Sequence, residues 1–450
     1  MKKIIFIFLT IIILFGCYDQ RGYTQEIDHI VVISTEVKEQ ENNEENEENN
    51  EENNGIEGIE VNEEIEEIEE VEEMEEMEEM DDPLNIQGES EMIEQHATLV
   101  PDEITVNLKY NKYFINYDYV VVNKGSVNIR EAPGLEGRVI RATYAHEKLN
   151  LMETVKGQYI EKYNCDQWCH VYWWNNKGEK QFGFLLSKLV GVRKFQFDKM
   201  LEQLIKMEEE VGKGTITYVD NYKNRKGYAP LYKGGTYDAY GVRRTQSAPG
   251  YLNLSDRTNF IYIEDGSLIR LLSSNETHYQ VLVLKNNIKC WVPKKYITSS
   301  KHLDELKKVV IIDRRNQNEG VFEKIDNQWV LVSYTLATTG AKAKHKIETP
   351  LGYYFALETR KKFLYLDDET KEIAGYAPYA VRFTGGSYIH GVPVNYKIKE
   401  EKRIDPGHIE YTSTIGTVPL SHRCVRNYTS HAKFLYNWVE IRKTIVIIIE

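Results

Sequence analysis

The chain has 450 residues, 41% of them hydrophobic, and a formal net charge of −14. That length excludes a single core and suggests about three domains, and the apolar share excludes a chain that is disordered throughout. The charge is uneven: residues 39–82 hold 24 acidic side chains and no Lys or Arg, so the rest carries all 56 basic residues against the other 46 of 70 acids, a surplus of ten positive charges. A body with that surplus suits an anionic polymer such as cell wall, or a charged membrane surface, and equally a solvated surface with no specific partner; no nucleic-acid partner is expected.

The N-terminus starts Met1-Lys2-Lys3 and continues in a twelve-residue apolar run over 4–15. The run is too short to span a bilayer and fits the core of a signal peptide. It ends in Leu14-Phe15-Gly16-Cys17, which resembles a bacterial lipobox. The resemblance implies a signal over 1–17, lipidation of Cys17 and attachment to a membrane through that lipid. Cleavage as a plain secretory signal is the alternative. Either way the expected location is the cell envelope, facing the periplasm or the wall.

Residues 18–100 read as an acidic, disordered tether. Residues 41–54 are all Glu and Asn, and 63–80 repeat Glu-Glu-apolar six times. A three-residue period drifts around a 3.6-residue helix, so no stable apolar stripe forms, and dense like charge opposes compaction.

Strand character dominates 118–195, with alternating or apolar runs at 117–122, 127–130, 138–142, 148–154, 171–174 and 182–186 separated by turn signals such as Ala132-Pro133-Gly134. Short strands at this spacing predict a small barrel. The segments Gly125-Ser126-Val127-Asn128-Ile129-Arg130-Glu131-Ala132-Pro133 and Gly183-Phe184-Leu185-Leu186-Ser187-Lys188-Leu189 resemble the opening and closing motifs of bacterial SH3-like domains, a family that often binds cell-wall peptides. Cys165 and Cys169 read as a local disulfide or two buried thiols. Residues 195–211 have helical spacing. A second strand-rich stretch, 225–300, weakly echoes the first barrel, and Cys290 within it reads as core.

The last segment, 306–450, is again mostly β, with strands expected at 309–313, 329–332, 363–366, 380–383, 387–389 and 444–449 and a helix over 431–441. It carries Ser421-His422-Arg423-Cys424-Val425-Arg426-Asn427. A thiol becomes a nucleophile as a thiolate, which needs a base or positive charge nearby, and this run offers both. At a turn, the N–H groups of Arg423 and Cys424 could face an oxyanion, and Arg426 could support the thiolate or grip a carboxylate. Taken alone, a Cys beside a His is more often structural.

The pieces around it change that reading. Val309-Val310-Ile311-Ile312-Asp313, Thr339-Gly340, Thr349-Pro350-Leu351-Gly352, Tyr388-Ile389-His390-Gly391 and Ser421-His422-Arg423-Cys424-Val425-Arg426 together resemble the L,D-transpeptidase (YkuD-like) catalytic domain, in that family's order. The fold expected is therefore mainly β and multidomain, with one or two SH3-like barrels followed by this catalytic domain. The resemblance implies a catalytic Cys424 that attacks a peptidoglycan stem peptide, releases D-alanine and passes the acyl group to an amine, without metal or other cofactor. It implies that His390 is the base, that Gly391 orients it, and that His422, Ser421, Arg423 and Arg426 shape the substrate and oxyanion sites. Water as acceptor would make a carboxypeptidase. Two departures stand out. Arg423 occupies a position where the family usually has Gly, and His390 lies 34 residues before Cys424, wider than is usual. A charged insertion between 394 and 412 accounts for the spacing as a surface loop. His408, 16 residues before Cys424 and beside Pro406-Gly407, is the rival base. Two other readings remain: a wall-binding lipoprotein with a decayed catalytic domain, and an NlpC-type endopeptidase. The second is disfavoured because its Cys precedes its His.

Overall fold

The computed structural model describes residues 91–450, apart from 114, 124, 299, 345, 368, 369, 400 and 401. The signal segment, Cys17 and the tether up to residue 90 lie outside the described residues. Within 91–100 the chain already forms a strand, Met92–Gln95, paired antiparallel to Lys148–Ile160. The folded body therefore starts earlier than the sequence pattern suggests. All four residues of this strand are exposed, so no hydrophobic alternation announces it.

Residues 118–194 form an antiparallel sheet in the order Val139–Ala142, Asn128–Arg130, Lys180–Leu186, Cys165–Trp174, Lys148–Ile160, Asp118–Val122, Val190–Lys194. Six of these strands coincide with the expected runs, because alternate residues such as Val120, Ile129, Leu151, Val171 and Leu185 close one core. Cys165 and Cys169 are free thiols. Both lie on one extended strand, where four residues of rise exceed the roughly 7 Å Cα separation that a disulfide tolerates.

Helix α1, Phe197–Gly212, follows. Its apolar residues recur at 197, 200, 204 and 207, one helical face. The helix is more than a linker: that face packs with Val309, Ile311, Phe322, Leu331 and Ile445 of the C-terminal unit. A second antiparallel sheet then runs Ile216–Tyr218, Leu268–Ser274, His278–Val283, Ile288–Pro293, Ser247–Asn253, Asp256–Glu264. Cys290 is buried in its core with Ile263, Val281 and Val292.

The C-terminal unit has two sheets. The larger runs Gly352–Phe355, Thr444–Ile449, Lys308–Asp313, Asn318–Ile325, Gln328–Leu336, Ile104–Val106. Its centre is the parallel pair of Lys308–Asp313 with Thr444–Ile449. These two strands are near-continuous apolar runs because both of their faces are covered. Val309 and Ile311 face α1, whereas Val310 and Ile312 face the smaller sheet and helix α2, Thr429–Trp438. The edge strand Ile104–Val106 comes from the start of the body and pairs parallel to Gln328–Leu336. The smaller sheet runs Glu358–Leu366, Ile373–Thr384, Ser387–His390, Val425–Arg426. The charged insertion is more ordered than a loop. Its exposed strands Lys397–Lys399 and Lys402–Ile404 pair into a ribbon, and Asp405 at its base holds Lys362 at 2.6 Å.

Between the two sheets lies a fully buried polar pair, Glu319 and His431. Burial pushes the Glu319 carboxyl up to about 8, against a hydrogen bond from Asn427, and pushes His431 down to about 3. Both are neutral at pH 7, and His431 Nδ1 lies 3.2 Å from Glu319 Oε1 without a hydrogen bond between them. His431 Nε2 shares a hydrogen bond with Ser333 Oγ at 2.9 Å. The Glu319 pKa is raised on folding, so its stabilisation is full below its ordinary 4.5 and is lost as pH rises towards about 8. His431 works the other way, losing stabilisation as pH falls from 6.5 towards 3. The melting temperature of the protein should therefore fall between pH 6 and 8, and Glu319→Gln should flatten that fall in a thermal-melt series.

Candidate active site

Cys424 immediately precedes the short strand Val425–Arg426, which pairs parallel to Ser387–His390 with Ile389 opposite Val425 and His390 opposite Arg426. The side-chain period of two then sorts the two strands. Ile389 and Val425 enter the core between the sheets. Tyr388, His390, Cys424 and Arg426 share the other face, where Tyr388 and Ala380 pack against the cysteine. This pairing sets His390 and Cys424 on one face despite their separation in sequence, with Tyr388 rather than His390 level with the cysteine.

His390 is 4% exposed, and its Nδ1–H donates to the Gly391 carbonyl at 2.6 Å. That bond leaves Nε2 as the unprotonated nitrogen, the form a general base requires. Burial pulls the imidazole down to about 4, with the Gly391 carbonyl opposing and Arg426 reinforcing the shift. Cys424 is 8% exposed, and its Sγ–H points to the Gly386 carbonyl at 3.8 Å. Burial raises its pKa, and the Tyr388 N–H, Arg426 and Arg423 pull it back only in part. At neutral pH Cys424 is thus a thiol and His390 a neutral imidazole.

The loop ahead of the cysteine is held from several sides. Thr349 Oγ1 accepts from the Gly340 N–H at 2.8 Å and donates to the Arg423 carbonyl at 3.1 Å. Gly340 has to be glycine: a Cβ there would lie 2.7 Å from the Arg423 nitrogen and 2.5 Å from the Ile347 carbonyl. The buried Ser421 hydroxyl donates to the Cys424 carbonyl, and Ser421 N–H donates to the Thr339 carbonyl at 3.1 Å. Ser421 is therefore scaffold. The Gly391 N–H is likewise spent, on the Pro378 carbonyl at 2.9 Å, while the Gly391 carbonyl holds His390 Nδ1–H. Among the described residues, neither the Arg423 nor the Cys424 N–H has a hydrogen-bond acceptor. Arg426 is half-buried with its Nε unpartnered. His422 is exposed. His408 is exposed too, edge-on to the rings of Tyr379 and Tyr376 at 5.3 and 6.0 Å.

Arg423 adopts φ 73°, the left-handed region that favours glycine. Its guanidinium is bound by Glu264 of the second sheet at 2.5 Å. Sequence reasoning missed this partner, and it missed Tyr388, Phe363 and Thr349 as walls and struts of the site. The Thr349-Pro350-Leu351-Gly352 segment was a visible signal for the last of these. Glu264, at the end of a strand before Asp265-Gly266, carried none.

Comparison with known proteins agrees with the motif reading at the level of the domain. Residues 307–448 match the YkuD family, the L,D-transpeptidase catalytic domain. No curated protein matches the chain. Similar solved structures include an L,D-transpeptidase from Mycobacterium smegmatis, 18% identical over 39% of this chain and 69% of that one, TM-score 0.25. L,D-transpeptidase 3 from Mycobacterium tuberculosis, in complex with a faropenem-derived adduct, is 20% identical over 37% of this chain and 74% of that one, TM-score 0.25. A fused Zn-dependent amidase/peptidase/peptidoglycan-binding domain protein from Clostridium acetobutylicum is 17% identical over 32% of this chain, TM-score 0.22, and the match spans about half of its length, 51%.

Proposed function

From the premise that residues 307–448 are an L,D-transpeptidase catalytic domain of the YkuD family, we propose that the protein is a cysteine-dependent L,D-transpeptidase acting on peptidoglycan stem peptides. The observation that carries this reading is the parallel pairing that sets Cys424 and His390 on one face, with Nδ1 of the histidine tied to a carbonyl and Nε2 left as base. In the proposed reaction His390 Nε2 takes the Cys424 proton as Sγ attacks the carbonyl that joins the third stem residue, a diamino acid, to the terminal D-alanine. The same imidazole returns the proton to the D-alanine amine, which leaves, and a thioester remains on Cys424. A side-chain amine of a second stem then attacks the thioester and gives a 3→3 cross-link. Arg426 supports the developing negative charge from the same face. The 118–195 sheet, as an SH3-like domain, and the second sheet would hold the wall, and lipidated Cys17 with the acidic tether would set the reach from the membrane.

One observation favours a second reading. Arg423 sits in a backbone region that suits glycine, and a distorted nucleophile loop would leave a wall-binding protein without turnover. Faropenem separates the two. The M. tuberculosis enzyme named above holds a faropenem-derived adduct. A catalytic Cys424 should likewise gain one adduct per chain, mapped to its peptide by mass spectrometry. A folded protein with an unmodified Cys424 would favour the binding reading.

A further inference from the structure

The turn that ends the strand Asp256–Glu264 reaches out of the second sheet into the C-terminal unit and touches both loops beside the nucleophile. Glu264 Oε1 binds Arg423 Nη2, one residue before Cys424. Its other oxygen accepts from Tyr354 OH at 3.3 Å and lies 3.6 Å from Lys285 Nζ. The side chains of Glu264 and Arg423 are 12% and 15% exposed, so solvent does little to loosen the pair. Asp265, the next residue, binds Arg382 Nη1 at 2.7 Å and the Gly385 N–H at 3.1 Å, and its own carbonyl accepts from Thr384 Oγ1 at 2.5 Å. The turn 384–387 held in this way includes Gly386, whose carbonyl meets the Cys424 thiol. The fit is tight: at Gly266, φ 83°, a Cβ would lie 2.2 Å from the Phe383 carbonyl oxygen.

A non-glycine residue at φ 73° carries a conformational cost, and it persists where surrounding contacts over-determine it. Here the largely enclosed ion pair supplies that determination. We propose that Glu264 is a positioning residue of the active site, one that fixes Arg423 and through it the backbone that presents Cys424 and its free N–H. The second sheet is then a working part of the site rather than a spacer. This inference rests on the transpeptidase reading for its kinetic arm, while its chemical arm needs only a folded protein.

The test uses the full chain with Glu264→Ala and Glu264→Gln, each alone and in an Arg423→Gly background. Glutamine keeps an acceptor for Arg423 and alanine does not. Misplacing the reacting groups by about 1 Å costs on the order of 10²-fold, so Glu264→Ala should lower kcat about 10- to 100-fold while KM changes by less than about threefold. Glu264→Gln should recover most of the rate. In the Arg423→Gly background, where glycine accepts φ 73° unaided, Glu264→Ala should have little further effect. The chemical arm is iodoacetamide alkylation read by peptide mass. Release of the loop should speed labelling of Cys424 in Glu264→Ala while the buried Cys169 and Cys290 stay as slow as in the parent. Labelling of all three together would show a general loosening and overturn the proposal, as would unchanged Cys424 labelling, or an alanine effect that persists undiminished with Gly at 423. A parent protein without turnover would sink the transpeptidase reading, and the alkylation pattern would still decide the role of Glu264.

Discussion

Cys424→Ser should lower release of D-alanine from stem peptides by at least about 10³-fold, because the covalent route loses its nucleophile. The fold should survive. Sγ makes one weak contact, to the Gly386 carbonyl at 3.8 Å, and receives the Tyr388 N–H, both of which a hydroxyl can replace. The check is D-alanine release beside a thermal melt. Retained turnover with an unshifted melt would remove Cys424 from the chemistry.

His390→Ala should cost about 10²- to 10⁴-fold in the acylation rate, the usual worth of a positioned base, whereas His408→Ala should stay within about threefold. The pH dependence gives the sign. With its pKa near 4, His390 is already unprotonated throughout the neutral range, so the parent rate should hold nearly level from pH 6 to 8. Cys424 has a raised pKa, so without its base the variant must wait for spontaneous ionisation. Its rate should climb with pH across that range and beyond 9. An active His390→Ala with an inactive His408→Ala would transfer the role to His408, against the exposed, ring-packed position of that side chain.

Much of the β architecture was legible because it is local. Runs such as 118–122 and 308–313 carry their own period or apolar continuity, and the helix over 197–212 shows its stripe. Other elements gave no such sign. Met92–Gln95 is exposed throughout, and Ile104–Val106 is three residues long; each takes its place from a distant partner strand. The site divides in the same way. The motif around Cys424 and the segment around His390 were both readable, but their parallel pairing belongs to the folded sheet. Arg423 stood out as a departure. What it departs to, a left-handed residue clamped by Glu264 from 159 positions away, depends on a contact that no local pattern encodes. Ser421 illustrates the reverse: a residue placed at the substrate by motif alone has its polar groups committed to the scaffold.

The most direct test of the central claim is mass spectrometry of peptidoglycan fragments after incubation of tetrapeptide stems with the full chain. The account predicts 3→3 linked dimers, one D-alanine released for each link formed, and neither product with Cys424→Ser. Shortened monomers alone would keep the acyl-enzyme but make water its acceptor. Fragments left unchanged by a folded protein would contradict the account.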